Sequence, residues 1–169
     1  GDILQAFDNL TWTSVVQALQ AWKVPPELVA GFVAEAQDLV LFTEFEGLRS
    51  SEPIAFNHCV RTGGKESSWL WNCFIAFAIS LLLDAWLDAG WGFHADSVLT
   101  HLVYADNIWL FAENLCDLVT MVQGLSRVLH AHGFRWRAKS LEWMRSGPPD
   151  ELEDGDLDVD VDGVNVRIP

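Results

Sequence analysis

Apolar positions along the chain follow two spacings, alternation and the three-to-four step of a helix, broken by proline, glycine and paired polar residues. Ile3, Leu4, Ala6 and Phe7 predict a short opening strand. Thr11 or Thr13 caps a helix to about Trp22, because Val15, Val16, Leu19 and Trp22 fall at helical spacing. Pro25-Pro26 ends it and starts the next helix, whose apolar face is Leu28, Phe32, Ala36 and Leu39. Val40 to Phe45 predicts a strand, with Ile54 to Phe56 as its hairpin partner. Arg61 to Ser68 is polar and contains glycine, which predicts a loop. Trp69 to Leu87 predicts a long apolar helix.

The second half continues the alternation. Val98 to Tyr104 and Ile108 to Phe111 flank Asp106-Asn107, which predicts a hairpin. Leu118, Val122, Leu125 and Leu129 predict a helix over 115–130, ended by Gly133. Phe134, Trp136 and Ala138 alternate with Arg135 and Arg137, the pattern of a half-buried strand with a cationic outer face. Leu141 to Met144 predicts another strand, and Leu157 to Ile168 a hairpin turning at Asp162-Gly163. This order of elements predicts an α+β fold with a largely antiparallel sheet and helices packed on one face. Pro148-Pro149 and the acids after them read as a linker over 147–156, between a domain at 1–146 and the terminal hairpin at 157–169. The chain opens directly on an apolar pattern without a Met, so a position inside a longer protein is expected.

Composition adjusts this picture in three places. Half of the 169 residues are hydrophobic, which excludes a disordered segment. The net charge of −14 argues against phosphate binding by the chain as a whole. Eight of the acids, however, lie between Asp150 and Asp162, and 127–145 holds five bases against the single acid Glu142. A local basic segment therefore survives inside an acidic chain. Three scattered cysteines form no disulfide framework and favour an intracellular setting, cytoplasmic or nuclear. Residues 69–87 carry only Asn72, Ser80 and Asp84 as polar members and approach the length of a membrane span. The mixed α/β surroundings favour a buried core helix, and no membrane partner is expected.

Candidate chemistry centres on Tyr104-Ala105-Asp106-Asn107. A carboxylate at a hairpin tip is well placed to hold a cation, and the opening strand carries a second, Asp2. Two adjacent strands would bring Asp2 and Asp106 together. Carboxylates in contact repel each other and need a shared proton or cation. Mg²⁺ suits oxygen ligands and leaves positions open for phosphates, which makes a two-metal phosphoryl-transfer site one reading. Ordinary turn chemistry is the other, since Asp and Asn favour tight turns without any ligand.

Five stretches then resemble, in order and separation, the reverse transcriptases of non-LTR retroelements. Asp2-Ile3-Leu4-Gln5-Ala6-Phe7-Asp8 looks like their first catalytic motif, and Tyr104-Ala105-Asp106-Asn107 resembles the Tyr-Ala-Asp-Asp box. The 115–132 helix, Gly133-Phe134 and Lys139-Ser140 resemble the stretch after that box. Arg61-Thr62-Gly63-Gly64-Lys65-Glu66 resembles the start of the Gly-Val-Arg-Gln-Gly-x-Pro motif, and the terminal hairpin resembles the strand pair before the thumb.

The resemblance implies a polymerase palm without fingers and most of the thumb. It implies RNA-directed DNA synthesis from dNTPs on an RNA template and DNA primer, with Mg²⁺ or Mn²⁺. Asp2 and Asp106 would hold the metals, with Asn107 beside them as part of the catalytic box. Phe7 would lie under the deoxyribose and select against a 2′-hydroxyl. Gly64, Lys65 and Lys139 would meet the nucleotide, and Tyr104, Arg135 and Arg137 the nucleic acid. The sequence departs from the pattern at Asn107, which replaces an Asp and carries no charge for a cation. It departs again at Gln5, which replaces a frequent Lys, and at Glu66-Ser67-Ser68-Trp69, which replaces Gln-Gly-x-Pro. A catalytically silent remnant that binds nucleic acid or protein is the competing expectation.

Other patterns imply less. Asp158, Asp160, Asp162 and Gly163 open like a calcium loop, but Pro169 stands where the bidentate Glu is needed. His130 and His132 are two apart and do not share a helix face.

Overall fold

The computed structural model describes residues 1–37, 40–42, 44–49, 51–52, 54–55, 65–94, 96–145, 157–161 and 164–168. In chain order the helices are α1 (Ala6–Asn9), α2 (Trp12–Ala21), α3 (Pro26–Gln37), α4 (Lys65–Asp88) and α5 (Leu115–Ala131). The strands are β1 (Val40–Leu41), β2 (Glu44–Phe45), β3 (Leu48–Arg49), β4 (Ile54–Ala55), β5 (Phe93–His94), β6 (Val98–Leu99), β7 (His101–Tyr104), β8 (Asn107–Leu110), β9 (Leu157–Val161) and β10 (Val164–Ile168). Every strand pairing among the described residues is antiparallel. The fold is α+β, as the element order predicts.

The chain forms two compact units, one of residues 1–6 with 78–169 and one of residues 7–77. The first is built around its opening residues. Gly1 N donates to Ile108 O and Ile108 N to Gly1 O, at 2.9 and 2.8 Å. Ile3 N donates to Asp106 O at 3.2 Å. On the other side Arg137 N donates to Asp2 O and Leu4 N to Arg135 O, both at 2.9 Å. Residues 1–4 are thus inserted between the β7–β8 hairpin and residues 135–137, with Asp2 opposite Asn107 and Ile3 opposite Trp136. Ile3 and Phe134 are wholly buried here, so the register is pinned by apolar side chains as well as by hydrogen bonds.

α5 covers this arrangement. Asn114 caps it by accepting from the Asp117 N–H at 3.0 Å. Met121, Leu125 and Leu129 form its buried stripe, and Gly133 leaves it at φ +85°, a conformation glycine adopts without strain. The Trp136 indole N–H donates to Ser126 Oγ at 2.7 Å, tying the sheet to the helix. β9 and β10 close the unit: Leu141, Val159, Val161 and Ile168 pack together against Val119, Val122, Trp136 and Trp143. The Gln123 amide anchors the same hairpin by donating to Asp160 O at 3.1 Å.

In the second unit Thr11 caps α2 by accepting from Ser14 N at 3.2 Å, and Trp22 closes the helix. Pro26 opens α3. Aromatic pairs join the elements: Phe7 to Trp71, Phe32 to Trp69 and Trp71 to Phe74, with ring centroids 5.6–5.9 Å apart. In the part of α4 that belongs to this unit the buried positions are Ser67, Leu70, Trp71, Phe74 and Ile75, and in the part that belongs to the first unit they are Ala78, Ile79 and Trp86. Their three- and four-residue steps define one buried face on a helix that is also long and apolar enough to cross a membrane.

Five expectations from sequence differ from the structure, among them the β7–β8 turn, which falls at Ala105-Asp106 rather than Asp106-Asn107. The opening strand is two bridged residues, because Gln5 turns to φ +49° and Ala6 starts α1. The loop expected to Ser68 is helical from Lys65, while residues 61–64 lie outside the described residues. The strand expected over 134–138 is a single bridge at Trp136, followed by a 3-10 turn at Ala138–Ser140. Leu141 to Met144 forms no strand; Leu141 serves as a core side chain instead. The expected linker and the turn residues Asp162 and Gly163 lie outside the described residues.

Candidate functional site

The site is built from the backbone of residues 1–4. Because that segment is bonded on both sides, Asp2 is held by its neighbours rather than by its own conformational preference. Ser140 adds a third restraint: its Oγ accepts from Asp2 N at 2.8 Å and lies 3.3 Å from Asp2 O. The same hydroxyl is 2.8 Å from Arg137 O, which it bonds as donor. One side chain therefore fixes the backbone of both Asp2 and Arg137.

The Asp2 carboxyl is largely buried, with 14% of its side chain exposed. Its Oδ2 takes the Arg137 guanidinium at 2.9 Å. Its Oδ1 is buried and has no hydrogen-bond partner. Burial pushes the Asp2 pKa above the ordinary carboxylate value, and the Asp106 carboxyl adds to this by hydrogen bonding and by charge. The Arg137 guanidinium opposes the rise without cancelling it. The two carboxyls hydrogen-bond only when one is protonated. With both ionised, Asp2 faces a like charge and its Oδ1 has no donor.

Asp106 arrives on the turn between β7 and β8. Ala105 precedes it at φ +52°, a left-handed conformation that costs a non-glycine residue about 1–2 kcal/mol. A tight primed turn requires such a residue, so the strain is the condition for bringing Asp106 beside Asp2. Asn107 is the first residue of β8 and pairs with Asp2 in register.

This donor set suits a hard divalent cation. It offers carboxylate oxygens only, one of them buried and unpartnered, with a second carboxylate against it. Among the described residues no group of three or more His, Cys, Asp or Glu side chains forms a metal cluster. Asp2 and Asp106 would therefore leave most of a coordination shell to water and to phosphate oxygens, as Mg²⁺ sites commonly do.

The remaining expected site residues are spread more widely. Tyr104 ends β7 and is 75% exposed. Arg135 and Lys139 are exposed, Lys139 within the 3-10 turn that carries Ser140. Arg137, expected on an outward cationic face, is half exposed and binds Asp2. Phe7 belongs to the unit of residues 7–77, half-buried against Trp71. Lys65 opens α4, and Gly64 lies outside the described residues. The pairing of Arg137 with Asp2 and the clamp by Ser140 are the two features sequence reasoning missed. The Lys139-Ser140 pair was visible, but nothing local to it points to residue 2.

No curated protein matches the chain. A family model described as reverse transcriptase (RNA-dependent DNA polymerase) matches residues 1–151, most of the chain's length. The matched span contains both carboxylates and the elements that bring them together, and the chain belongs to the reverse transcriptase family.

Proposed function

We propose that the chain is the palm segment of a retroelement RNA-directed DNA polymerase, with Asp2 and Asp106 as its metal-binding carboxylates. The observation that supports this best is the convergence of those two side chains, 104 positions apart in sequence, around a buried and unpartnered oxygen. Mg²⁺ or Mn²⁺ held there by Asp2 and Asp106 would supply activation of the primer 3′-hydroxyl and stabilisation of charge on the pyrophosphate leaving group. The protein's own part is positioning. Ser140 and the paired backbones hold Asp2, and the strained Ala105 turn presents Asp106. Exposed Tyr104 and Arg135 line the same unit as surfaces for the template and primer, and Lys139 is a cation for the dNTP phosphates. The roles of Phe7, Gly64 and Lys65 rest on the sequence resemblance alone, and an intracellular location on the scattered cysteines.

Asn107 favours the competing reading, a palm that binds without catalysis, because an amide leaves the cation one charge short. Primer extension on an RNA template decides between them. The assay uses the palm joined to fingers and thumb, with Mg²⁺ or Mn²⁺. The polymerase reading expects extension that Asp106→Ala abolishes and Asn107→Asp increases. No extension by either the parent chain or Asn107→Asp would leave the silent reading standing.

A further inference from the structure

The two oxygens of Asp2 have different environments. Oδ2 is engaged by Arg137 at 2.9 Å, while Oδ1 is buried and unpartnered. The ion pair follows from the register. Ile3 faces Trp136 and Arg137 N donates to Asp2 O, so Asp2 and Arg137 stand directly opposite each other on antiparallel segments. Ser140 Oγ then bonds the backbone of both. A carboxylate that bridges two metal ions needs both oxygens. Here a fixed cation already holds one of them. The local charge points the same way: two carboxylates and one guanidinium leave a single negative charge where two divalent ions would bring four positive ones.

We propose that the Arg137 guanidinium occupies one of the two cation positions Asp2 can serve, so that Asp2 and Asp106 take up one divalent ion, on the Oδ1 side. Arg137 thereby sets the affinity of the site, because the incoming ion meets its positive charge. This rests on reading Asp2 and Asp106 as cation ligands. A unit positive charge a few ångströms from the ion, on a side chain half exposed to water and salt, weakens binding by about fivefold.

The test is a Mn²⁺ titration of the whole chain without nucleotide, reading free Mn²⁺ by its electron paramagnetic resonance signal. The Asp106→Asn variant identifies the part of the binding that belongs to this site, apart from weak uptake by the acidic stretch at 150–162. The parent chain is expected to hold one ion there. Arg137→Gln is expected to bind it about fivefold more tightly, and Arg135→Gln, which removes an equal charge from the same segment, by less than twofold. Arg137→Lys keeps the charge and is expected to stay within about twofold of the parent, which separates charge from misfolding. Unchanged or weaker binding by Arg137→Gln would overturn the proposal while leaving the site intact. Binding that Asp106→Asn does not reduce in any variant would overturn the reading of the two carboxylates beneath it.

Discussion

Replacing Asp2 with Asn should make the metal-free protein more stable while removing the cation binding proposed for the site. The wild-type carboxylate is largely buried, with one oxygen unpartnered and a like charge against it. An unsatisfied buried polar atom costs about 1–3 kcal/mol. The Asn amide can donate to Asp106, which removes that cost together with the repulsion. Against this, the variant loses the ion pair with Arg137, whose side chain is 52% exposed, and such a pair is worth about 0–1 kcal/mol. The net gain is about 1–2 kcal/mol, or a rise in Tm of about 3–6 °C for a chain of this size. The pH dependence has a fixed sign. Asp2 has a folded-state pKa above its unfolded value, so the native state holds the extra proton. Its stabilising contribution is complete below the unfolded value and is lost as pH rises through the folded one. Asn does not titrate, so the advantage of Asp2→Asn is largest near neutral pH and narrows as pH falls into that interval. Thermal unfolding in chelator across a pH series measures this. Adding Mg²⁺ at about ten times its Kd should return about 1.4 kcal/mol to the wild type and nothing to the variant. A variant that is less stable than wild type at neutral pH, or whose advantage does not depend on pH, would mean that the Asp2 carboxylate carries no burial or repulsion cost.

Three further perturbations probe the scaffold around the pair. Ser140→Ala strands the Asp2 N–H and should cost about 1–2 kcal/mol in chemical denaturation, with Ser140→Thr restoring most of it. Leu141→Ala opens a cavity among Val159, Val161 and Ile168 and should cost about 2–4 kcal/mol, with faster amide exchange in β9 and β10 than elsewhere. Asn114→Ala removes the cap of α5 and should lower stability by about 1 kcal/mol, whereas Asn114→Asp should preserve it.

The parts of the fold legible in the sequence were those set by local pattern. α5 and the paired strands β9 and β10 stand where periodicity puts them, and the β7–β8 hairpin does so with its turn one residue early, at Ala105-Asp106. Thr11 and Pro26 mark helix starts as their chemistry requires. The failures occur where neighbours override pattern. Residues 3–7 alternate too weakly to show that Gln5 reverses the chain, a strained conformation that is stable only once both flanks of residues 1–4 are bonded. Residues 134–138 alternate as a strand should, yet the Ser140 hydroxyl bonded to Arg137 O draws the chain into a 3-10 turn after one bridge. Arg135 and Arg137 share one side of that segment, as period two demands. The pattern gives no sign that Asp2 lies opposite Arg137, because that neighbour comes from the other end of the chain. The candidate site was found through its carboxylates for a related reason. Asp2 and Asp106 each sit in a short motif that is readable locally. The residues that hold them, Ser140 and Arg137, act only through pairing.

Joint ligation of a divalent cation by Asp2 and Asp106 is open to direct observation. The most direct measurement is an anomalous difference map from crystals of the protein grown with Mn²⁺. A peak is expected about 2.1–2.2 Å from both Asp2 Oδ1 and an Asp106 carboxylate oxygen, with Arg137 still on Oδ2. Ordered Mn²⁺ elsewhere in the crystal, with both carboxylates empty and apart, would contradict it.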